Sequence, residues 1–169
     1  MINKQYHKLF LFSALGIVLA VLLYLGLTQK PSVPALVFTD LSGKQIALEK
    51  FHGKTLLVNF WATSCPGCVK EMPELADTYK QYHDKGLELV AVAMSYDPPE
   101  HVRQFAAERG LPFSVVMDTQ GDIARAFGEV KLTPTSFLID GDGHILQQTI
   151  GELDFVKLKQ YLDGLGKKS

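Results

Sequence analysis

Cys65 and Cys68 are the chain's only cysteines. They stand three apart as Cys65-Pro66-Gly67-Cys68, directly after the apolar run 56–62 and directly before a stretch with helical periodicity. A thiol at a helix N-terminus faces the positive end of the macrodipole and ionises more readily, and the thiolate is the nucleophilic form. The chemistry within reach of such a pair is reversible dithiol–disulfide exchange. A purely structural staple is a poor explanation, because a cross-link closing so short a ring removes little entropy from the unfolded chain. A structural zinc site needs four ligands. No further cysteine exists, and His7, His52, His83, His101 and His144 are scattered without metal-like spacing, so neither a metal nor a cofactor is expected. Soft thiolates also suit Cu(I), which leaves a copper-binding module as an alternative if the fold brings Met72 and His52 to the cysteines.

The elements that must hold the pair are readable from periodicity. Residues 36–38 and 46–48 flank Asp40-Leu41-Ser42-Gly43-Lys44 and predict a β-hairpin with a glycine-containing loop. Residues 55–61 are almost continuously apolar, the pattern of a strand covered on both faces. From Cys68 to about residue 84 the spacing is helical, with Met72, Leu75, Ala76 and Tyr79 on one face and Pro73 inside the pattern, where it kinks the helix or leaves one carbonyl unpaired. A second buried-type strand is expected over 87–94, and a helix from Pro98-Pro99 to Arg109, stopped by Gly110. A strand over 113–117, a short helix over 121–127 and a strand over 135–139 follow. The tight turn 140–143 leads into an antiparallel strand over 144–150, and a helix over 154–165 closes the chain. The sum is an α/β domain: a mixed central sheet flanked by helices on both faces.

Residues 9–27 form an uncharged apolar run of 19, nearly long enough as a helix to span a hydrocarbon core of about 30 Å. The run is longer than the apolar core of a cleaved signal peptide, which is the competing reading, and no cysteine follows it to accept a lipid. Lys4 and Lys8 precede it, so the positive-inside rule places residues 1–8 in the cytoplasm and the rest beyond the membrane. The expected organisation is residues 1–8 cytoplasmic, 9–27 transmembrane, 28–34 linker and 35–169 folded domain. A cysteine pair outside the cytoplasm sits in an oxidising compartment, where reducing power has to be supplied from elsewhere. The first 30 residues hold three lysines and no acid, so the remainder carries 14 basic and 18 acidic side chains. A mildly acidic domain without a basic cluster argues against nucleic acid and against a polybasic hold on anionic lipid.

Residues 59–68, read Asn59-Phe60-Trp61-Ala62-Thr63-Ser64-Cys65-Pro66-Gly67-Cys68 and followed by Glu71-Met72-Pro73, resemble the membrane-anchored TlpA/ResA-like thiol-disulfide oxidoreductases of the thioredoxin superfamily. Thr133-Pro134-Thr135-Ser136-Phe137-Leu138-Ile139-Asp140 is similar to that family's second signature, a loop with a cis proline facing the cysteines. The likeness covers about residues 34–165. It implies a thioredoxin-like fold with an N-terminal β-hairpin extension and an inserted strand–helix unit over 87–109. It implies catalysis by Cys65, the attacking thiolate, and Cys68, which resolves the mixed disulfide, with Pro66 and Gly67 shaping the turn. It implies a cis Thr133-Pro134 bond, with the backbone of Thr133 pairing to an extended substrate segment. Trp61, four residues before Cys65, is a candidate substrate-side residue, with a plain core position as the alternative. Thioredoxins proper carry a buried Asp where Asn59 stands, and Asn cannot accept a proton. Glu71 matches instead the acidic residue of ResA-like members, so a role in setting the cysteine pKa values is expected of it.

The implied function is reduction of disulfides in exported proteins, such as apocytochromes c or copper-site proteins, with electrons drawn from a membrane donor. Two departures bear on clients: Ser64 stands where many relatives carry Trp, and Thr135 where haem-maturation members often have Glu. A dithiol oxidase is the same chemistry run the other way. A thiol peroxidase needs Thr three residues before its peroxidatic cysteine, whereas Ala62 precedes Cys65 by three and Cys65 precedes Cys68 by three.

Overall fold

The computed structural model describes residues 14–24, 26, 32–33 and 36–165. The chain forms two compact units, Met1–Pro31 and Ser32–Ser169. In the first, residues 14–24 are helical and expose apolar side chains such as Leu15, Ile17, Leu19 and Leu23. Among the described residues no helix is long and apolar enough to cross a membrane. Most of the remainder of the span expected over 9–27, and all of residues 1–8, lie outside the described residues.

The second unit runs β1 (Val37–Thr39), β2 (Gln45–Ala47), β3 (Thr55–Trp61), α1 (Pro66–Tyr82), β4 (Leu87–Ala93), α2 (Pro99–Arg109), β5 (Ser114–Met117), α3 (Asp122–Ala126), β6 (Thr135–Ile139), β7 (Ile145–Ile150) and α4 (Phe155–Leu165). Strands β1 and β2 make the antiparallel hairpin. The other five form one sheet in the order β5-β4-β3-β6-β7, with β3–β4 and β4–β5 parallel and β3–β6 and β6–β7 antiparallel. The mixed sheet with flanking helices is the architecture expected from the sequence.

Alternation along β3 sorts the core into two layers, because successive strand side chains point to opposite faces. Leu57 and Trp61 go to one face with Leu89, Ala91, Ala93 and Leu138, and there meet Met72 and Leu75 of α1, Val102 of α2 and Leu158 and Leu162 of α4. Leu56, Val58 and Phe60 go to the other, with Val90, Val92, Phe137 and Ile139, beneath Phe38 and Ile46 of the hairpin and Ile123 and Phe127 near α3. Every residue of β3 is buried, which explains its unbroken apolar pattern.

Helix α1 begins at Pro66 rather than Cys68, and Cys65 is its N-cap: its Sγ accepts the Cys68 N–H at 3.2 Å, and Pro66 occupies the first turn, where a missing amide hydrogen costs nothing. The helix runs unbroken through Pro73, which lies on its exposed side. Pro73 offers no donor to the Val69 carbonyl one turn earlier.

At the end of the sheet away from the cysteines, the loop before β3 and the β6–β7 turn touch backbone to backbone. Gly53 N–H donates to Gly141 O at 2.9 Å, and a Cβ on Gly141 would lie 3.0 Å from both Gly53 Cα and C. A Gly141→Ala substitution is expected to lower stability by roughly 1–3 kcal/mol, measured by urea unfolding, since backbone has nowhere to yield. In the same turn Asp140, Asp142 and His144 bring ligating atoms within 4.8 Å of one another. Asp140 Oδ1 is already engaged by the Asp142 and His144 amides at 3.0 and 2.9 Å, a turn clasp.

Candidate active site

Strand directions decide what meets Cys65. β3, the central strand, ends at Trp61 and the cysteine turn follows, so Cys65 stands just past one end of the sheet. β6 is antiparallel to β3 with Thr135 opposite Phe60, which delivers the start of β6, and with it Thr133-Pro134, to that end. β4 is parallel to β3 and ends opposite Trp61, so the loop 94–98 emerges there too. β7 ends opposite Thr135 and brings Gly151, Glu152 and Leu153.

Cys65 and Cys68 are joined as a disulfide with their Cα atoms 5.3 Å apart. Cys65 is half-buried, whereas Cys68 is 0% exposed and belongs to the core layer under α1. The first turn of α1 carries no acidic side chain that would offset the helix dipole at the sulfurs. The Thr133-Pro134 peptide bond is cis. A Cβ added to Gly67 would come 3.6 Å from Pro134 Cδ and 3.5 Å from Glu152 Oε1, so the cysteine turn, the cis-proline loop and Glu152 are in close contact. Glu152 is exposed and pairs with Lys70 at 2.7 Å.

Glu71 lies in the core-facing stripe of α1 with Cys68, Met72 and Leu75, at positions three, four and seven after Cys68. It is 4% exposed. Its Oε1 accepts Asn59 Nδ2 at 3.0 Å and its Oε2 accepts the Leu153 N–H at 3.1 Å. Asn59 Nδ2 also donates to Ser136 Oγ at 2.9 Å, because the β3–β6 register places Ser136 directly opposite Asn59. Burial drives the Glu71 pKa above its ordinary 4.5, and the nearby Glu152 charge adds to the rise. The bonds from Leu153 and Asn59 pull the other way without cancelling it. Ser136, Glu152 and Leu153 also line a cavity of about 380 Å³ against α4.

Asn59 Oδ1 is buried without a hydrogen-bond partner among the described residues. Rotating that amide by half a turn presents Oδ1 to Glu71, the arrangement a protonated Glu71, or Gln, requires. A Glu71→Gln variant is therefore expected to fold, and to differ from the natural chain in its pH dependence. With a raised folded-state pKa, folded Glu71 holds a proton that the unfolded chain has released, so the natural chain loses stability as pH rises from about 4.5 through the raised value. Urea midpoints taken between pH 4 and 8 should show that decline in the natural chain, and a flatter profile in the Gln variant.

The structure thus brings Cys65, Cys68, Pro66, Gly67, Glu71, Thr133 and Pro134 to one end of the sheet. Trp61 is a correction: its side chain is 0% exposed and packs on Phe105 at 5.2 Å between ring centres, in the layer that holds Cys68. It lies beneath the dithiol, and its ring has no surface to offer a substrate. Met72 is in that same apolar layer, while His52 is at the opposite end of β3, so the fold does not gather the set imagined for Cu(I).

Asp97 and Tyr96 were not foreseen. Asp97 is 2% exposed and takes the Thr63 N–H on Oδ2 and the Thr63 hydroxyl on Oδ1, both at 2.6 Å. The Tyr96 hydroxyl lies 3.3 Å from Thr133 Oγ1. The signal in the sequence is an acid four residues past a buried strand and directly before a proline pair.

Residues 28–162 match the Redoxin family model. The thiol-disulfide oxidoreductase ResA of Bacillus thuringiensis subsp. konkukian is 41% identical over 129 residues, 76% of this chain and 73% of that protein. A candidate thioredoxin from Neisseria meningitidis, solved in solution, superposes with a TM-score of 0.76 at 42% identity, covering 83% of this chain and 93% of that one. The crystal structure of StoA from Bacillus subtilis gives a TM-score of 0.67 at 28% identity, covering 78% of this chain and 98% of that one.

Proposed function

The chain belongs to the Redoxin family and, within it, to the ResA-like thiol-disulfide oxidoreductases, and we propose that it is an extracytoplasmic reductase of exported proteins in which Cys65 attacks and Cys68 resolves. The observation that carries the assignment is the difference in burial across one turn, Cys65 half-buried at the helix cap and Cys68 fully enclosed. A client sulfur reaches the first and not the second.

The exchange balances as follows. The Cys65 thiolate attacks one sulfur of a client cystine, the client S–S bond breaks, and the other client sulfur leaves as a thiolate and takes up a proton. Cys68 gives up its proton to Glu71, attacks Cys65 Sγ and expels the second client sulfur as a thiolate, which takes up a proton from water. The client gains two electrons and two protons, and the enzyme becomes the Cys65–Cys68 disulfide. Glu71 supports this cycle as the buried proton acceptor for Cys68, a task for which a carboxyl with a raised pKa is suited. Thr133, preceding the cis proline, offers its backbone to the extended client segment beside the cystine.

A membrane dithiol donor would restore the reduced form, and the apolar run 9–27 would tether the domain beside that donor on the extracytoplasmic side. The expected clients are exported proteins with disulfides, apocytochromes c and copper-site proteins among them. The domain's mild acidity and lack of a basic cluster support a protein client over nucleic acid.

The test is a trap. A reduced Cys68→Ser variant mixed with a cystine peptide should accumulate a mixed disulfide that peptide mapping places on Cys65. Absence of any adduct would overturn the assignment of roles.

A further inference from the structure

The loop between β4 and α2 holds two contacts that the exchange chemistry by itself does not require. Asp97 spends both carboxylate oxygens on Thr63, two residues before Cys65, and its own amide donates to Met94 O at 3.0 Å. The loop is thereby fastened to the cysteine turn by bonds that are short and partly buried. The next residue back, Tyr96, reaches the other side of the site, with its hydroxyl 3.3 Å from Thr133 Oγ1. Yet the Tyr96 side chain is not tucked away: the residue is 57% exposed, and Leu132, next to Thr133, is 63% exposed. An aromatic ring tied at its polar end and open along its apolar body is the arrangement found where proteins grip other chains.

We propose that Tyr96 is a specificity-determining residue for polypeptide disulfides: its ring receives an apolar side chain flanking the client's cystine. The proposal rests on the reading that an extended client segment lies along Thr133, whose Oγ1 the Tyr96 hydroxyl meets. A tyrosine has only two side-chain torsions to lose on contact, so the discrimination falls on substrate binding. A small disulfide has no flanking residues to place there.

The experiment compares the full chain with its Tyr96→Phe and Tyr96→Ala variants on three substrates: a cystine peptide flanked by Leu and Phe, the same peptide flanked by Gly, and a small aromatic disulfide. The natural chain should prefer the apolar-flanked peptide. In Tyr96→Ala that preference, as a ratio of kcat/KM values, should fall about tenfold and chiefly through KM, while Tyr96→Phe, which keeps the ring, should retain most of it. Circular dichroism and the dithiol's equilibrium with glutathione report whether fold and redox poise survive. An unchanged preference in Tyr96→Ala would overturn the proposal, and so would an equal slowing of all three substrates, since that marks a merely structural role. If the natural chain exchanged with the small disulfide but with neither peptide, the reading of polypeptide clients would fall, and this proposal with it.

Discussion

Cys65→Ser should abolish disulfide reduction, with turnover reduced roughly a thousandfold or more, because the one other thiol, Cys68, is enclosed in the core. Serine in place of Cys65 leaves the cap of α1 intact, since its oxygen can accept the Cys68 amide as Sγ does now. The expected loss is therefore one of chemistry and not of fold. Cys68, left alone, is 0% exposed in an apolar layer, out of reach of a client sulfur. Turnover measured by insulin or peptide reduction, with thermal melting as the control for folding, checks both halves of the expectation. If Cys65→Ser kept substantial activity through Cys68, the burial argument for the order of attack would be wrong.

The largest effect on stability is expected at Trp61. Truncation to alanine removes a fully buried ring that supports Phe105 of α2 from one side and the Cys68 layer from the other, and should cost about 3–5 kcal/mol. Trp61 Nε1 is buried without a partner among the described residues, which is itself unfavourable. Trp61→Phe should thus cost less than the volume change alone implies, about 1–2 kcal/mol, because the orphan donor leaves with the ring. Urea unfolding of the two variants gives these numbers directly. A Trp61→Phe protein that is close to natural in stability but defective toward peptides would restore the substrate-side role that the burial of this residue contradicts.

Much of this architecture was readable before any coordinates. The apolar run over 55–61 predicts a strand covered on both faces, and β3 is buried at every position. Asp140-Gly141-Asp142-Gly143 predicts a turn into an antiparallel strand, and β7 pairs with β6 in that sense. The helix start was displaced because a cysteine is not a typical N-cap, and nothing in the residue pattern says that Cys65 Sγ will accept the Cys68 amide. What stayed hidden is what depends on register and strand direction. Asn59 and Ser136 are 77 residues apart and meet only because β3 and β6 pair as they do. Asp97 and Thr63 are 34 apart and meet because β4 runs parallel to β3. Glu71 was singled out by resemblance, but its place in the stripe of Cys68, Met72 and Leu75 was a physical clue that a carboxylate would be buried there.

Equilibrating the purified chain with glutathione or dithiothreitol mixtures of known poise, and following the Cys65–Cys68 pair by thiol alkylation, tests the central claim most directly. A reductant of exported disulfides predicts a single two-electron transition with its midpoint nearer the thioredoxin value of about −270 mV than the DsbA value of about −120 mV. A midpoint near the latter, or a pair that does not titrate at all, would contradict it.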